Sequence, residues 1–306
     1  MSELKAGVVG AGVFGGYHAA KYASLPDVRL VGVLDADAER AAALAGKLGV
    51  AAFTDIESFM AAVDVVAIAA PASTHAEIAR QALLWGRHVY VEKPLALTYD
   101  DGRALVDLAQ DKGLTLAAGH QERAIFRAMG LLDAPETPLR IEAVRRSAYY
   151  PGRGTDVSCL LDMGIHDLDL AMALNPTLPK AIKAKGRIQH GPKYDEIGAE
   201  IAFVDGMDFT LDCSRLDEVR VRTMRIVYPS GVVELDFMAK TFSNTTGFTL
   251  DPGYADTADG KDPLGASVSA FLDAVRGTAP RALVTGSEGL DALDLALRVE
   301  KAAAAA

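Results

Sequence analysis

Up to about residue 122, short runs of consecutive apolar residues alternate with longer stretches of helical periodicity. The apolar runs are Leu4 to Val9, Val28 to Leu34, Val63 to Ala69, His88 to Val91 and Leu114 to Ala118, and each predicts a strand. Val63 to Ala69 is a continuous apolar run of the type buried on both faces of a parallel sheet. Tyr17 to Leu25, Asp37 to Leu48, Thr74 to Trp85 and Thr98 to Lys112 read as the helices between them. Strict strand–helix alternation predicts a doubly wound parallel sheet of the Rossmann type.

Beyond residue 122 the period changes. Arg140 to Tyr150, Ala181 to Gln189, Ile197 to Val204, Met207 to Cys213, Thr223 to Tyr228 and Gly231 to Leu235 read as strands. Asp205-Gly206 is a hairpin signal and Pro229-Ser230-Gly231 a turn. Helices are expected at Asp162 to Leu174, Gly265 to Arg276 and Ser287 to Lys301. The fold class expected is therefore α/β joined to α+β. A Rossmann domain over 1–122 precedes a domain over 123–306 built on a large, mostly antiparallel sheet. The alanine run at 302–306 carries no side-chain chemistry.

Composition narrows the function. With 306 residues, half of them apolar, the chain can fill two cores. No apolar run approaches the ~20 residues of a membrane helix, and the start of the chain does not read as an export signal. The two cysteines, Cys159 and Cys213, have no metal-ligand spacing and point to a reduced, cytoplasmic protein. A net charge of −10 argues against nucleic acid as a partner but leaves room for a small anion held by local arginines.

Gly10-Ala11-Gly12-Val13-Phe14-Gly15 is a G-x-G-x-x-G placed between a strand and a helix. The first glycine permits the tight turn, the second lets backbone approach a pyrophosphate, and the third lets helix and strand pack closely. The helix N-terminus offers free N–H groups and partial positive charge to the phosphates. Asp35 ends the second strand about 20 residues past Gly15, where an acid binds ribose hydroxyls. A carboxylate there accepts from a 2′-hydroxyl and repels a 2′-phosphate, so NAD is favoured over NADP; the nearest downstream arginine is Arg40. Either Asp35 or Asp37 also suits a helix cap, and the preferred assignment is Asp37 as cap and Asp35 as ribose ligand.

Val91-Glu92-Lys93-Pro94 and Ala70-Pro71-Ala72-Ser73-Thr74-His75 each follow a predicted parallel strand at its carboxyl end, where ligands sit in open α/β sheets. The second half carries Asp162-Met163-Gly164-Ile165-His166, and Leu283-Val284-Thr285-Gly286 precedes the last helix. Taken together, this series resembles the Gfo/Idh/MocA family of sugar and cyclitol dehydrogenases over nearly the whole chain. The resemblance implies an NAD-dependent oxidoreductase acting on a CH–OH group. It implies Lys93 as the residue orienting the substrate hydroxyl, His166 as general acid/base and Asp162 as its partner. It places Gly10, Gly12, Val13, Phe14, Gly15, Asp35, Ala70, Pro71, Thr74, His75, Glu92, Lys93 and Gln121 on the cofactor, and no metal. The chemistry agrees, since oxidising an alcohol needs a hydride acceptor, a base and groups that fix geometry.

Arg145-Arg146-Ser147-Ala148-Tyr149-Tyr150-Pro151-Gly152-Arg153 and Gly119-His120-Gln121-Glu122-Arg123 resemble the nucleotide-sugar branch of the family, whose UDP-N-acetylglucosamine 3-dehydrogenases oxidise the 3-hydroxyl to a ketone for a separate aminotransferase. Arg123, Arg146 and Arg153 suit a diphosphate, and Tyr149 or Tyr150 suits stacking; Lys93, Asp162 and His166 complete the expected substrate side. The chain departs from the family where Arg123-Ala124-Ile125-Phe126 replaces a usual Arg-Phe. A free hexose or cyclitol substrate stays open. So does a non-catalytic dinucleotide sensor, although a sensor needs none of Lys93, Asp162 and His166. By analogy with the family, a homodimer or homotetramer is expected.

Overall fold

The computed structural model describes residues 3–152 and 154–305. The chain divides into two compact units, residues 1–120 with 264–290, and residues 121–263 with 291–306.

In the first unit, β1 (Leu4–Val9), β2 (Val28–Leu34), β3 (Ala51–Phe53), β4 (Val65–Ile68), β5 (His88–Val91) and β6 (Leu116–Ala118) form a six-stranded sheet in the order β3-β2-β1-β4-β5-β6. Every pairing is parallel. The crossovers are α1 (Val13–Ser24), α2 (Ala38–Leu48), α3 (Ile56–Ala62), α4 (His75–Leu84) and α5 (Tyr99–Asp111). Strand order reverses between β1 and β4, so the loops leaving those two strands border the crevice where such sheets bind ligands. The central strand β4 is apolar and buried along its whole length because both faces are covered. Val66, Ile68, Val89 and Val91 pack with Phe59, Leu83 and Leu105, while Val8, Val65 and Ala67 pack with Ala19 and Tyr22.

Several boundaries differ from the sequence expectation. Helix α1 starts at Val13 rather than Tyr17, because Gly12 is its N-cap and the second half of the glycine motif is already helical. β3 and α3 were not expected. They are short, and the one local signal is Asp55, whose carboxylate caps α3 by accepting from Ser58 N at 2.8 Å.

The second unit contains β7 (Arg140–Arg146), β8 (Pro179–Arg187), β9 (Glu196–Phe203), β10 (Asp208–Ser214), β11 (Val221–Tyr228), β12 (Gly231–Asp236) and β13 (Thr241–Asn244). They form a seven-stranded sheet in the order β13-β12-β11-β7-β10-β9-β8. β10 runs parallel to β7, and the other pairings are antiparallel. Gly206, at φ +97°, closes the expected hairpin between β9 and β10. The remaining helices are α6 (Arg123–Met129), α7 (Ile165–Leu174), α8 (Ala258–Lys261), α9 (Pro263–Arg276), which falls almost wholly in the first unit, and α10 (Gly286–Ala304). Strand β7 stops at Arg146 rather than Tyr150, its last ladder contact passing from Ser147 N to Ser214 O. The helix expected from Asp162 instead opens with a wide π-type turn, Leu160–Gly164, before α7.

Period-two alternation sorts the second sheet. Ile141, Ala143 and Arg145 of β7 are buried, while Arg140, Glu142, Val144 and Arg146 lie on the more open face. Helix α7 is buried on most of its circumference, from Ile165 through Ala171.

The segment 264–290 packs in the first unit, a return that a division at residue 122 does not anticipate. Phe271 stacks edge-on against Tyr90 at 5.8 Å between ring centroids, and Ser267 Oγ lies 3.0 Å from Tyr90 Oη. Phe271 is fully buried among Val8, Tyr22 and Val65. Phe271→Ala is therefore expected to cost the first unit about 3–5 kcal/mol, read as a lower urea midpoint for the transition monitored by its core.

Candidate active site

The loop from β1 into α1 meets the requirements of a pyrophosphate cradle. Gly10 sits at φ +100°, and a Cβ there would collide with the backbone of Ala69 and Ala70. A Cβ on Gly15 would lie 1.7 Å from Gly10 O, whereas one on Gly12 meets nothing within 4 Å. The first and third glycines are thus demanded by the fold, and the second keeps a space beside the backbone that a ligand can use. Helix α1 has no side-chain cap, and Val13 is 64% exposed next to Phe14. Its first N–H groups are available to an anion.

Asp35 does more than end β2. Its Oδ2 accepts from Ala11 N at 2.7 Å, and Oδ1 accepts from Asp37 N at 2.8 Å and Arg40 Nη2 at 2.9 Å. Burial works against its charge, but these donors together hold the carboxyl below its ordinary range. Asp37 is the cap of α2, accepting from Glu39 N and Arg40 N at 3.1 Å each. Asp37 is thus the helix cap, and Asp35 fastens the glycine loop through Ala11 N.

The loops after β4 and β5 are tied together by His75. Its Nδ1 lies 2.8 Å from Pro94 O and its Nε2 2.9 Å from Ala70 O. Thr74 Oγ1 donates to Pro71 O at 2.8 Å, which closes the first loop locally. Lys93 is half-buried between two buried neighbours, Glu92 and Pro94. His18 of α1 donates from Nε2 to Glu92 Oε1 at 2.8 Å, the carboxylate being only an acceptor. Burial opposes the Glu92 charge, yet His18, then Lys93 and His75, hold it below the usual carboxylate range. A Cβ at Gly119 would come within 2.8 Å of Glu92 Oε2, so glycine there makes room for this carboxylate. The sequence reading placed Glu92 at the site but missed His18, which no motif marks.

In the second unit, Asp162 sits half-buried in the wide turn and His166 is buried in the first turn of α7. A Cβ on Gly154, at φ +64°, would lie 2.3 Å from Asp162 Oδ2, so that loop passes directly over the carboxylate. His166 Nδ1 is 3.9 Å from Glu122 Oε1. Glu122 in turn accepts from Arg145 Nη1 at 3.2 Å and Nη2 at 2.8 Å, and pairs with Arg222. Arg145 also donates from Nη2 to Asp167 Oδ1 at 2.9 Å. Arg222 lies over the Phe237 ring, 4.5 Å from its centroid. Burial disfavours the Glu122 charge, but Arg145 and Arg222 hold its carboxyl well below the ordinary range.

Two expected substrate arginines have other partners. Arg123 is 5% exposed and grips Asp169 through Nε at 2.9 Å and Nη2 at 2.7 Å. Arg146 points to the open sheet face, opposite to Arg145, and pairs with Asp212 and Asp217. Strand alternation forces that separation of neighbours. Tyr149 is stacked on His190 at 4.0 Å between centroids, with Arg215 Cζ 5.8 Å from its ring; Tyr150 is 60% exposed. Arg153 lies outside the described residues. Gln121 is half-buried in the second unit, and its Oε1 has no hydrogen-bond partner among the described residues. The sequence reading missed Arg145, Asp167, Asp169 and Arg222. Arg145 carried a signal, because it falls on the inward phase of β7 with Ile141 and Ala143.

Residues 4–120 match the family model described as "Oxidoreductase family, NAD-binding Rossmann fold" of the Gfo/Idh/MocA group. The chain is 34% identical to the UDP-N-acetylglucosamine 3-dehydrogenase of Acidithiobacillus ferrooxidans, across 99% of this chain and 98% of that protein. The chain belongs to the Gfo/Idh/MocA oxidoreductase family. The solved structure of that dehydrogenase superposes with a TM-score of 0.90 at 32% identity, covering 100% of this chain and 99% of the other. A more distant relative is the NAD(+)-dependent scyllo-inositol 2-dehydrogenase of Bacillus subtilis, 27% identical over 64% of this chain and 61% of that protein. Among the described residues no helix is long and apolar enough to cross a membrane.

Two measurements test these electrostatics. Arg145→Leu takes the hydrogen-bonded partner from buried Asp167 and one of two arginines from Glu122, and is expected to cost about 3–5 kcal/mol in chemical denaturation. Asp35, Glu92 and Glu122 are all held below their ordinary range. Depressed carboxyls stabilise the fold above the unfolded-state value and cease to do so as pH falls through the folded one. The urea midpoint should therefore drop as pH is lowered below about 4.

Proposed function

We propose that the chain oxidises a ring hydroxyl of a nucleotide sugar, the 3-hydroxyl of a UDP-N-acetylhexosamine, using NAD rather than NADP. The observation that carries this reading is the end-to-end likeness to a UDP-N-acetylglucosamine 3-dehydrogenase, which spans both units and all three candidate catalytic residues. Oxidation removes a hydride from the ring carbon and a proton from its hydroxyl. Bound NAD supplies the hydride acceptor. His166 takes the hydroxyl proton, Asp162 orients the histidine and the sugar, and the Lys93 ammonium favours negative charge developing on the oxygen. Glu92 and His18 hold Lys93's loop, and Asp35 reads the ribose. Arg123 and Arg146 are left out of the substrate contacts, because both guanidinium groups are engaged by carboxylates.

The product is a 3-ketone, which an aminotransferase acting on keto sugars converts to an amine; such an enzyme is the proposed pathway partner. A homodimer or homotetramer in the cytoplasm belongs to the same proposal. The likeness to an inositol dehydrogenase supports a second reading, oxidation of a free cyclitol or hexose.

The deciding assay follows NADH formation with UDP-N-acetylglucosamine, myo-inositol and glucose in parallel. Turnover of the nucleotide sugar alone is expected, and turnover of only a free polyol or hexose would replace the first reading with the second. Lys93→Ala and His166→Ala should each cut turnover by about 10²–10⁴-fold while NADH binding, read by fluorescence titration, stays within a few fold. Asp35→Ala should narrow the preference for NAD over NADP, measured as the ratio of kcat/KM values.

A further inference from the structure

Glu122 stands immediately before α6 and is 6% exposed, an expensive place for a carboxylate. Its two oxygens are used unequally. Oε2 takes Arg145 Nη2 and pairs with Arg222, whereas Oε1 takes the longer 3.2 Å contact from Arg145 Nη1. Oε1 is also the Glu122 oxygen that approaches His166 Nδ1, at 3.9 Å. That separation lies outside hydrogen-bond range but within ion-pair range for a protonated ring, and such contacts tighten when a catalytic complex forms.

The charges around His166 come from separate elements. Glu122 precedes α6, Arg145 is on β7, Asp167 and His166 are on α7, Arg222 is on β11, and Asp162 lies in the turn before α7. Glu122 and Asp167 balance Arg145 and Arg222. A proton arriving on His166 adds a positive charge, and Glu122 is the carboxylate on the Nδ1 side of that ring.

We propose that Glu122 is a second positioning residue of the candidate base, beside Asp162, fixing the His166 ring through its Nδ1 edge and stabilising the imidazolium formed when Nε2 receives the substrate's proton. This rests on the reading of His166 as base. No bond other than the hydroxyl O–H and the new N–H changes at this pair, and Glu122 keeps its negative charge throughout. Arg145 and Arg222 secure that charge.

The test is a nuclear magnetic resonance titration of the His166 imidazole in the full-length protein, with its signal assigned by its loss in His166→Ala. Glu122→Gln should lower the midpoint by about 1–3 pH units. Arg222→Met, which removes a positive charge from the same cluster, should raise it. Opposite signs separate charge from general damage to packing, and Glu122→Asp should restore much of the wild-type value. Should Glu122→Gln fail to fold, Glu122→Asp and Arg222→Met still carry the test. Unmoved midpoints across the folded variants would overturn the proposal. In turnover, Glu122→Gln should lower kcat more than tenfold with KM little changed, and shift the acid limb of kcat/KM to lower pH. If His166→Ala keeps normal turnover, the base assignment fails instead, whatever the titration gives.

Discussion

A single buried guanidinium constrains most of the second unit. The alternation of β7 turns Arg145 inward, and arginine cannot shed its charge as lysine or histidine can. Two carboxylates must therefore come to it, one from the start of α6 and one from α7. Meeting that demand fixes where both helices sit on the sheet, and Asp167 is the chain neighbour of His166. The ion cluster is thus a poor source of net stability but a strong specification of geometry. Arg123 and Asp169 repeat the device between the same two helices.

The first unit reaches its geometry by different means. Its strands are apolar, and order there comes from close backbone approach. Gly10 and Gly15 are required by contacts of the loop with itself and with the end of β4, and Asp35 locks the loop from the side. One carboxylate therefore holds the glycine turn and the entry to α2 together. Arg40 adds a cation at the same carboxylate, a pairing that adjacency in sequence does not reveal. The same economy recurs at Glu92, which anchors α1 through His18 and sits beside Lys93.

Legibility followed the physics of each feature. Parallel strands buried on both faces are continuous apolar runs, so most of the first sheet was readable. β3, α3, α6 and β13 are too short to develop a period. In the second sheet, alternation announces which residues share a face but not which strands are neighbours, so the parallel pairing of β7 with β10 was invisible. Motif residues at strand ends were readable because glycine, proline and strand-terminal acids have positional meaning. The arginines were not. Arg123 and Arg146 looked available for phosphate because the sequence displays charges without their partners, and both partners lie far along the chain.

The return of residues 264–290 to the first unit has a consequence for biosynthesis. Val268, Phe271 and Leu272 complete a core whose other members, such as Val8 and Tyr22, emerge from the ribosome first. At roughly 5–20 residues per second of synthesis, the nascent Rossmann half waits through the whole of the second sheet before its last packing partners exist. The first unit therefore cannot complete its core before the second sheet has been made. Its early strands keep one side incompletely covered until residues 264–290 have been made.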